Sequence, residues 1–149
     1  MRSQRSSEKT SSLVDGLTAK RTLALGRDHR RRYTPIVARE YTTIVLHIAA
    51  DRTEEFEALF EREELVRWDD YTERRRFVEA RLIRCRYSAL QGEGVQDYVL
   101  QVVTADEKAH HEHDEDPGFK AYNERADAFQ PVEPTVTFGD LVFERRAKL

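Results

Sequence analysis

The chain has 149 residues, 39% of them apolar and 36% charged, with a net charge of −3 and one cysteine. That length suits one self-supporting domain, and lone Cys85 excludes an internal disulfide or a multi-cysteine zinc site. No run approaches the ~18 apolar residues of a membrane span, and the opening MRSQRSSEKTSS lacks the apolar stretch of a signal peptide, so a cytoplasmic protein with no membrane partner is expected.

Charge is divided unevenly along the chain. Residues 1–40 carry ten Lys and Arg against Glu8, Asp15, Asp28 and Glu40, a balance of +6, whereas the rest carries fifteen against twenty-four, a balance of −9. This boundary predicts a basic, flexible arm over 1–40 and a folded domain over 41–149. The run RDHRRR could meet an acidic surface or nucleic acid. The acidic body opposes the latter, so a nucleic-acid partner is disfavoured.

From Tyr41 the pattern becomes regular. YTTIVLHIAA alternates, with Ile44, Leu46 and Ile48 on one side of a strand and Thr43, Val45 and His47 on the other. DRTEEFEALFEREELVRW reads as a helix capped by Asp51 and Glu54, with Phe56, Leu59 and Phe60 as its apolar stripe and Trp68 stapled over its end. RFVEARLIRCRYSAL follows as a strand, with Arg84 and Arg86 opposite Ile83, Cys85 and Tyr87. The glycines of QGEG then turn the chain into VQDYVLQVVT, which carries Tyr98.

Thr104 and Glu107 have capping-box spacing, so a helix is expected to start there, with a break at Asp116–Gly118. Phe119, Tyr122, Ala126 and Phe129 continue the helical stripe, Pro131 and Pro134 end it, and TVTFGDLVFERR closes the chain as a strand. The order βαββαβ predicts an α+β, ferredoxin-like arrangement: a four-stranded antiparallel sheet with two helices on one face.

The segment DEKAHHEHDEDPGF concentrates histidines and carboxylates. His110 and His113 are three apart and His110 and Asp114 four apart, so they share a helix face. HHEH does not match the H-E-x-x-H zinc spacing, so no metal site is assigned and the segment reads first as a capped helix and its break. No Gly-rich phosphate loop or nucleophile elbow occurs.

YVLQVVTADEKAHHEHDEDPGFKAYNERADAF resembles a segment of the dimeric α+β barrel superfamily, which includes the antibiotic-biosynthesis monooxygenases. Glu107, Ala109, His113, Pro117, Phe119 and Tyr122 carry the likeness. The resemblance implies a homodimer whose helix-free sheet faces close a barrel, with a small-molecule pocket in each half. Thr43, Val45 and His47 would then face the barrel, Arg84 and Arg86 would hold an anion, Tyr98 and Tyr122 would line the pocket, and His47 and His113 would handle protons.

The heme-degrading branch of that superfamily places a tryptophan and a histidine where this chain has Thr104 and Asn123, and an asparagine in a first strand that has none here, so heme degradation is disfavoured. The monooxygenase branch uses neither metal nor flavin, so no cofactor is expected. The resemblance implies cofactor-independent oxygenation, isomerisation or cyclisation of an anionic aromatic or polyketide-like compound. The alternative is a non-catalytic interaction or assembly protein, with the barrel for dimerisation and the basic arm for partner contact.

Overall fold

The computed structural model describes residues 38–148, so most of the expected basic arm lies outside the described residues. Strand β1 (Glu40–Ala49) leads through a 3-10 turn (Ala50–Arg52) into α1 (Thr53–Leu59). A π-helical segment (Phe60–Leu65) and α2 (Val66–Glu73) follow without interruption. Then come β2 (Phe77–Arg84), β3 (Val95–Thr104), α3 (Glu107–Asp114), α4 (Pro117–Asp127) and β4 (Val132–Gly139). The strands form one sheet in the order β2-β3-β1-β4, every neighbouring pair antiparallel. This is the ferredoxin-like α+β fold.

The alternation in β1 sorts the faces. Ile44, Leu46 and Ile48 lie opposite Leu100, Tyr98 and Gln96 of β3, and Ile48, Tyr98 and Val102 pack with Phe56, Phe60, Trp68, Tyr122 and Phe129 of the helical layer. Thr43, Val45 and His47, with Gln101, Val99 and Asp97 opposite them, occupy the helix-free face. Edge-on aromatic contacts fill the core, with ring centroids 4.9 Å apart for Phe60–Trp68 and 5.3 Å for Phe56–Tyr98.

Several local details differ from the sequence reading. Asp51 does not cap α1. Arg52 holds the N-cap position with no side-chain bond, and the turn is instead held by backbone bonds from Ala49 to Phe129 and from Ala50 to Gly94. Thr104 is not a cap either. It is still in the sheet, opposite Glu40 and Phe77, and the N-cap is Asp106, whose carboxylate accepts from the Ala109 amide at 2.7 Å.

Trp68 lies inside the first helical run, which continues to Glu73 and stops before Arg75, a non-glycine residue at φ 57°. Asp116 restarts the second run by accepting from Gly118 and Phe119, with Pro117 at the first helical position. Pro134 falls within β4, where the sheet edge and a register shift against β1 tolerate a residue without an N–H. Beyond Gly139 the expected strand does not continue, and Leu141, Val142 and Phe143 are exposed.

Candidate functional site

A cavity of ≈ 110 Å³ lies between the helical layer and the sheet, inside the protomer. Its apolar wall includes Ile44, Leu46, Phe56, Phe60, Trp68 and Phe119. Its polar lining includes Thr42, Glu64, Thr104, His113, Tyr122 and Gln130. Among the described residues, no Lys or Arg lines it. Two of its buried polar atoms have no hydrogen-bond partner: Thr104 Oγ1, on a residue 2% exposed, and Gln130 Oε1. An unpaired buried polar atom costs about 1–3 kcal/mol, and both of these belong to residues that line the same cavity.

Glu64 is the most buried charge in this wall, at 2% exposure. Four-residue steps advance an α-helix by about 40° past a full turn. The wider π turn between Phe60 and Leu65 counters that drift, keeping Phe60, Glu64 and Trp68 on one side. Glu64 Oε1 accepts from Trp68 Nε1 at 3.0 Å and lies 2.7 Å from His113 Nε2, while Oε2 accepts from Arg67 Nε at 2.9 Å. Gly118 makes room for Arg67, because a Cβ there would come within 2.5 Å of Nη1.

His113 is wedged between aromatic rings, 4.2 Å from Phe119, 5.2 Å from Phe77 and 5.3 Å from Tyr71. Burial pulls its pKa down, but Asp114 and Glu64 outweigh that and leave it raised. His110 is held by Asp114, 3.0 Å from its Nε2, and by Glu40 at Nδ1, with the Phe138 ring tilted against it at 4.8 Å. Asp114 first and then Glu40 lift His110 to about 9. Burial works against the Asp114 carboxylate, yet His110 and His113 bring it down to about 2. Burial, and after it the charge of Glu64, raise the Tyr122 hydroxyl's pKa.

Of the residues expected to bind a ligand or move its protons, His113 and Tyr122 line this cavity, and Thr43, His47, Arg84, Arg86 and Tyr98 do not. Thr43 and His47 are on the opposite face of the sheet. There His47 Nδ1 lies 2.7 Å from Asp97, whose other oxygen takes the Ser88 hydroxyl and so ties down the β2–β3 loop.

Arg84 was expected on the helix-free side but pairs across Tyr98, on the helix side. It donates to Glu57 Oε1 at 2.9 Å and to the Tyr98 hydroxyl at 3.1 Å. Tyr98 donates to Glu57 at 2.6 Å and packs on Phe56; burial, then the bond to Glu57, push its hydroxyl up to about 12. Arg86 lies beyond the end of β2 and is exposed. The expected anion clamp is therefore not assembled. β2 is apolar at both Leu82 and Ile83, and the parity that packs inward is that of Ala80 and Leu82, which carries Arg84 with it.

The sequence reading missed Glu64, Thr104 and Gln130 and underused Trp68. One signal was available for Glu64: it sits four residues after Phe60 and four before Trp68, a carboxylate in an apolar stripe. Among the described residues, no three His, Cys, Asp or Glu side chains are grouped to hold a metal ion, and no helix is long and apolar enough to cross a membrane.

No protein-family model and no curated protein matches the chain. Solved structures do. A Caulobacter crescentus CB15 protein assigned as an antibiotic biosynthesis monooxygenase aligns with a TM-score of 0.58 at 20% identity, over 71% of this chain and 92% of that one. The fold is that of the antibiotic-biosynthesis-monooxygenase-like proteins. A Nitrosomonas europaea protein with the same assignment aligns at 9% identity and TM-score 0.58, over 71% of this chain and 92% of that one. A dimeric ferredoxin-like protein from an uncultured marine organism aligns at 9% identity and TM-score 0.61, over 74% and 94%.

Proposed function

We propose that this protein is a homodimer that binds, and turns over without a cofactor, an aromatic or polyketide-like small molecule in the cavity of each protomer. The observation that carries this reading is the pair of unpartnered oxygens, Thr104 Oγ1 and Gln130 Oε1, in an aromatic hollow that also holds His113. Convergent polar groups in an apolar pocket are the usual form of a small-molecule site.

The lining among the described residues is mostly aromatic and aliphatic, which suits a flat apolar ligand. Its flat body would lie against Phe56, Phe60 and Trp68, with a hydroxyl or carbonyl group meeting Thr104 and a donor meeting Gln130. His113 would take a proton from a weakly acidic hydroxyl or C–H, leaving an electron-rich anion open to oxygenation, isomerisation or ring closure.

Dimerisation is supported by the apolar content of the helix-free face, where Val45, Val99 and Ile83 lie together, Ile83 being 43% exposed. The exposed Leu141–Phe143 stretch supplies further apolar surface. Native mass spectrometry of the full chain, incubated with a panel of hydroxylated aromatic compounds, tests both parts. A dimer carrying one compound per protomer supports the reading; a bare monomer, or a dimer that retains none of them, counts against it.

A further inference from the structure

We propose that Glu64 is a positioning residue that locks His113 into the tautomer with hydrogen on Nε2, leaving Nδ1 as the basic nitrogen. The inference rests on the cavity being the functional site, but it concerns groups of this chain alone. Glu64 is a buried carboxylate with its acceptor sites committed: Arg67 Nε on Oε2, and Trp68 Nε1 and His113 Nε2 on Oε1. Arg67 and Trp68 can only donate. Both Glu64 oxygens therefore act as acceptors, and the geometry assigns Nε2 of His113 as the donor in their 2.7 Å contact.

Nδ1 is then the free nitrogen. Its nearest carboxylate oxygen is Asp114 Oδ1 at 3.6 Å, beyond hydrogen-bond reach, and the other oxygen of Asp114 is engaged by His110 Nε2 at 3.0 Å. The Tyr71, Phe77 and Phe119 rings prevent the imidazole from turning to exchange its nitrogens. The charged and titratable groups around it are Glu64 and Arg67 from the first helical run, Tyr71 on α2, Asp114 on α3 and Asp116 at the start of α4. Glu64 is the closer of the two carboxylates, 2.7 Å from Nε2 against 3.6 Å from Asp114 to Nδ1, and Asp114 is shared with His110 on the same helix.

This gives the π turn a chemical consequence. It places a carboxylate behind an imidazole, so that a proton taken up at Nδ1 creates an imidazolium whose charge Glu64 stabilises, while Nε2 keeps its hydrogen throughout.

The test is 15N NMR of the full-length protein, following the five histidines through two-bond nitrogen–hydrogen couplings, with His113→Asn identifying the His113 signals. The wild type should show His113 above its pKa as the Nε2–H form, with an unprotonated Nδ1, titrating above an ordinary imidazole. In Glu64→Gln the titration should move down, with Asp114 still holding part of the rise, and Nδ1–H should become populated. A wild-type His113 carrying hydrogen on Nδ1 would overturn the inference, and this does not depend on Glu64→Gln folding. An unshifted titration in a folded Glu64→Gln protein would overturn it as well. Failure of every compound to bind would sink the proposed function and leave this result standing.

Discussion

Trp68 Nε1 donates to Glu64 Oε1 at 3.0 Å, which fixes the chain's one tryptophan edge-on to Phe60 in the wall of the cavity. The same carboxylate holds His113, so an aromatic wall, a buried acid and an imidazole form one connected unit. A unit of this kind makes the cavity's chemistry separable from the protein's other polar networks by single substitutions.

Thr104→Val should act in opposite directions on stability and binding. Removing an unpaired buried hydroxyl while keeping the shape should leave the free protein as stable or stabilise it by about 1 kcal/mol. Ligand affinity should fall about tenfold, for one lost hydrogen bond. Chemical denaturation and a binding titration on the same preparation check both; a destabilised variant with unchanged affinity would show that Thr104 serves the fold alone.

Arg84→Ala should leave ligand binding unchanged. Its ion pair with Glu57 is about half exposed on both sides, and pairs of that kind contribute roughly 0–1 kcal/mol. The sequence reading assigned Arg84 to an anion clamp, and a large loss of affinity would restore that assignment.

The stability of the α3 region should depend on pH in a stated window. The folded pKa of His110, about 9, lies above the ordinary 6.5, so its contribution is complete below about 6.5 and disappears as pH rises through 9. Asp114, held at about 2 against an ordinary 3.8, contributes above about 3.8 and loses that contribution as pH falls toward 2. The two shifts largely describe one pair and are not summed; solvent also screens the half-exposed Asp114. Thermal melts between pH 6 and 10 should show an alkaline decline that flattens in His110→Gln. An identical decline in the variant would assign it to other groups.

Val45→Glu should turn a dimer into a monomer while the fold persists. Val45 lies opposite Val99 on the two central strands of the helix-free face, where a carboxylate would be trapped if a second sheet packed on it. Sedimentation velocity reads the outcome, and a dimer that survives the substitution would place the interface elsewhere.

The fold was legible because its signals are local. Strict alternation in YTTIVLHIAA assigned Ile44, Leu46 and Ile48 to the core, and the Phe119–Tyr122–Ala126 stripe announced the last helix. The site was less legible because its members meet only through packing. Leu82 and Ile83 offer apolar residues at both parities, so β2 alone does not say which way Arg84 points. Asp51 and Thr104 have cap spacing, but tertiary backbone bonds from Ala49 and Ala50 hold the turn before α1, and strand pairing holds Thr104. His113 could be singled out from its neighbours in sequence, whereas its partner Glu64 is 49 positions away and reaches it through a π turn that no motif announces.

The most direct test of the central claim, that the ligand site is the cavity between sheet and helices, is fluorescence of Trp68 during titration with hydroxylated aromatic compounds. Trp68 is 6% exposed and lines that cavity, so an occupant must alter its emission. The account predicts saturable quenching by at least one compound, lost in Ala126→Phe, which fills the cavity from α4. Saturable binding that leaves Trp68 emission unchanged, or that survives Ala126→Phe in a folded protein, would contradict it.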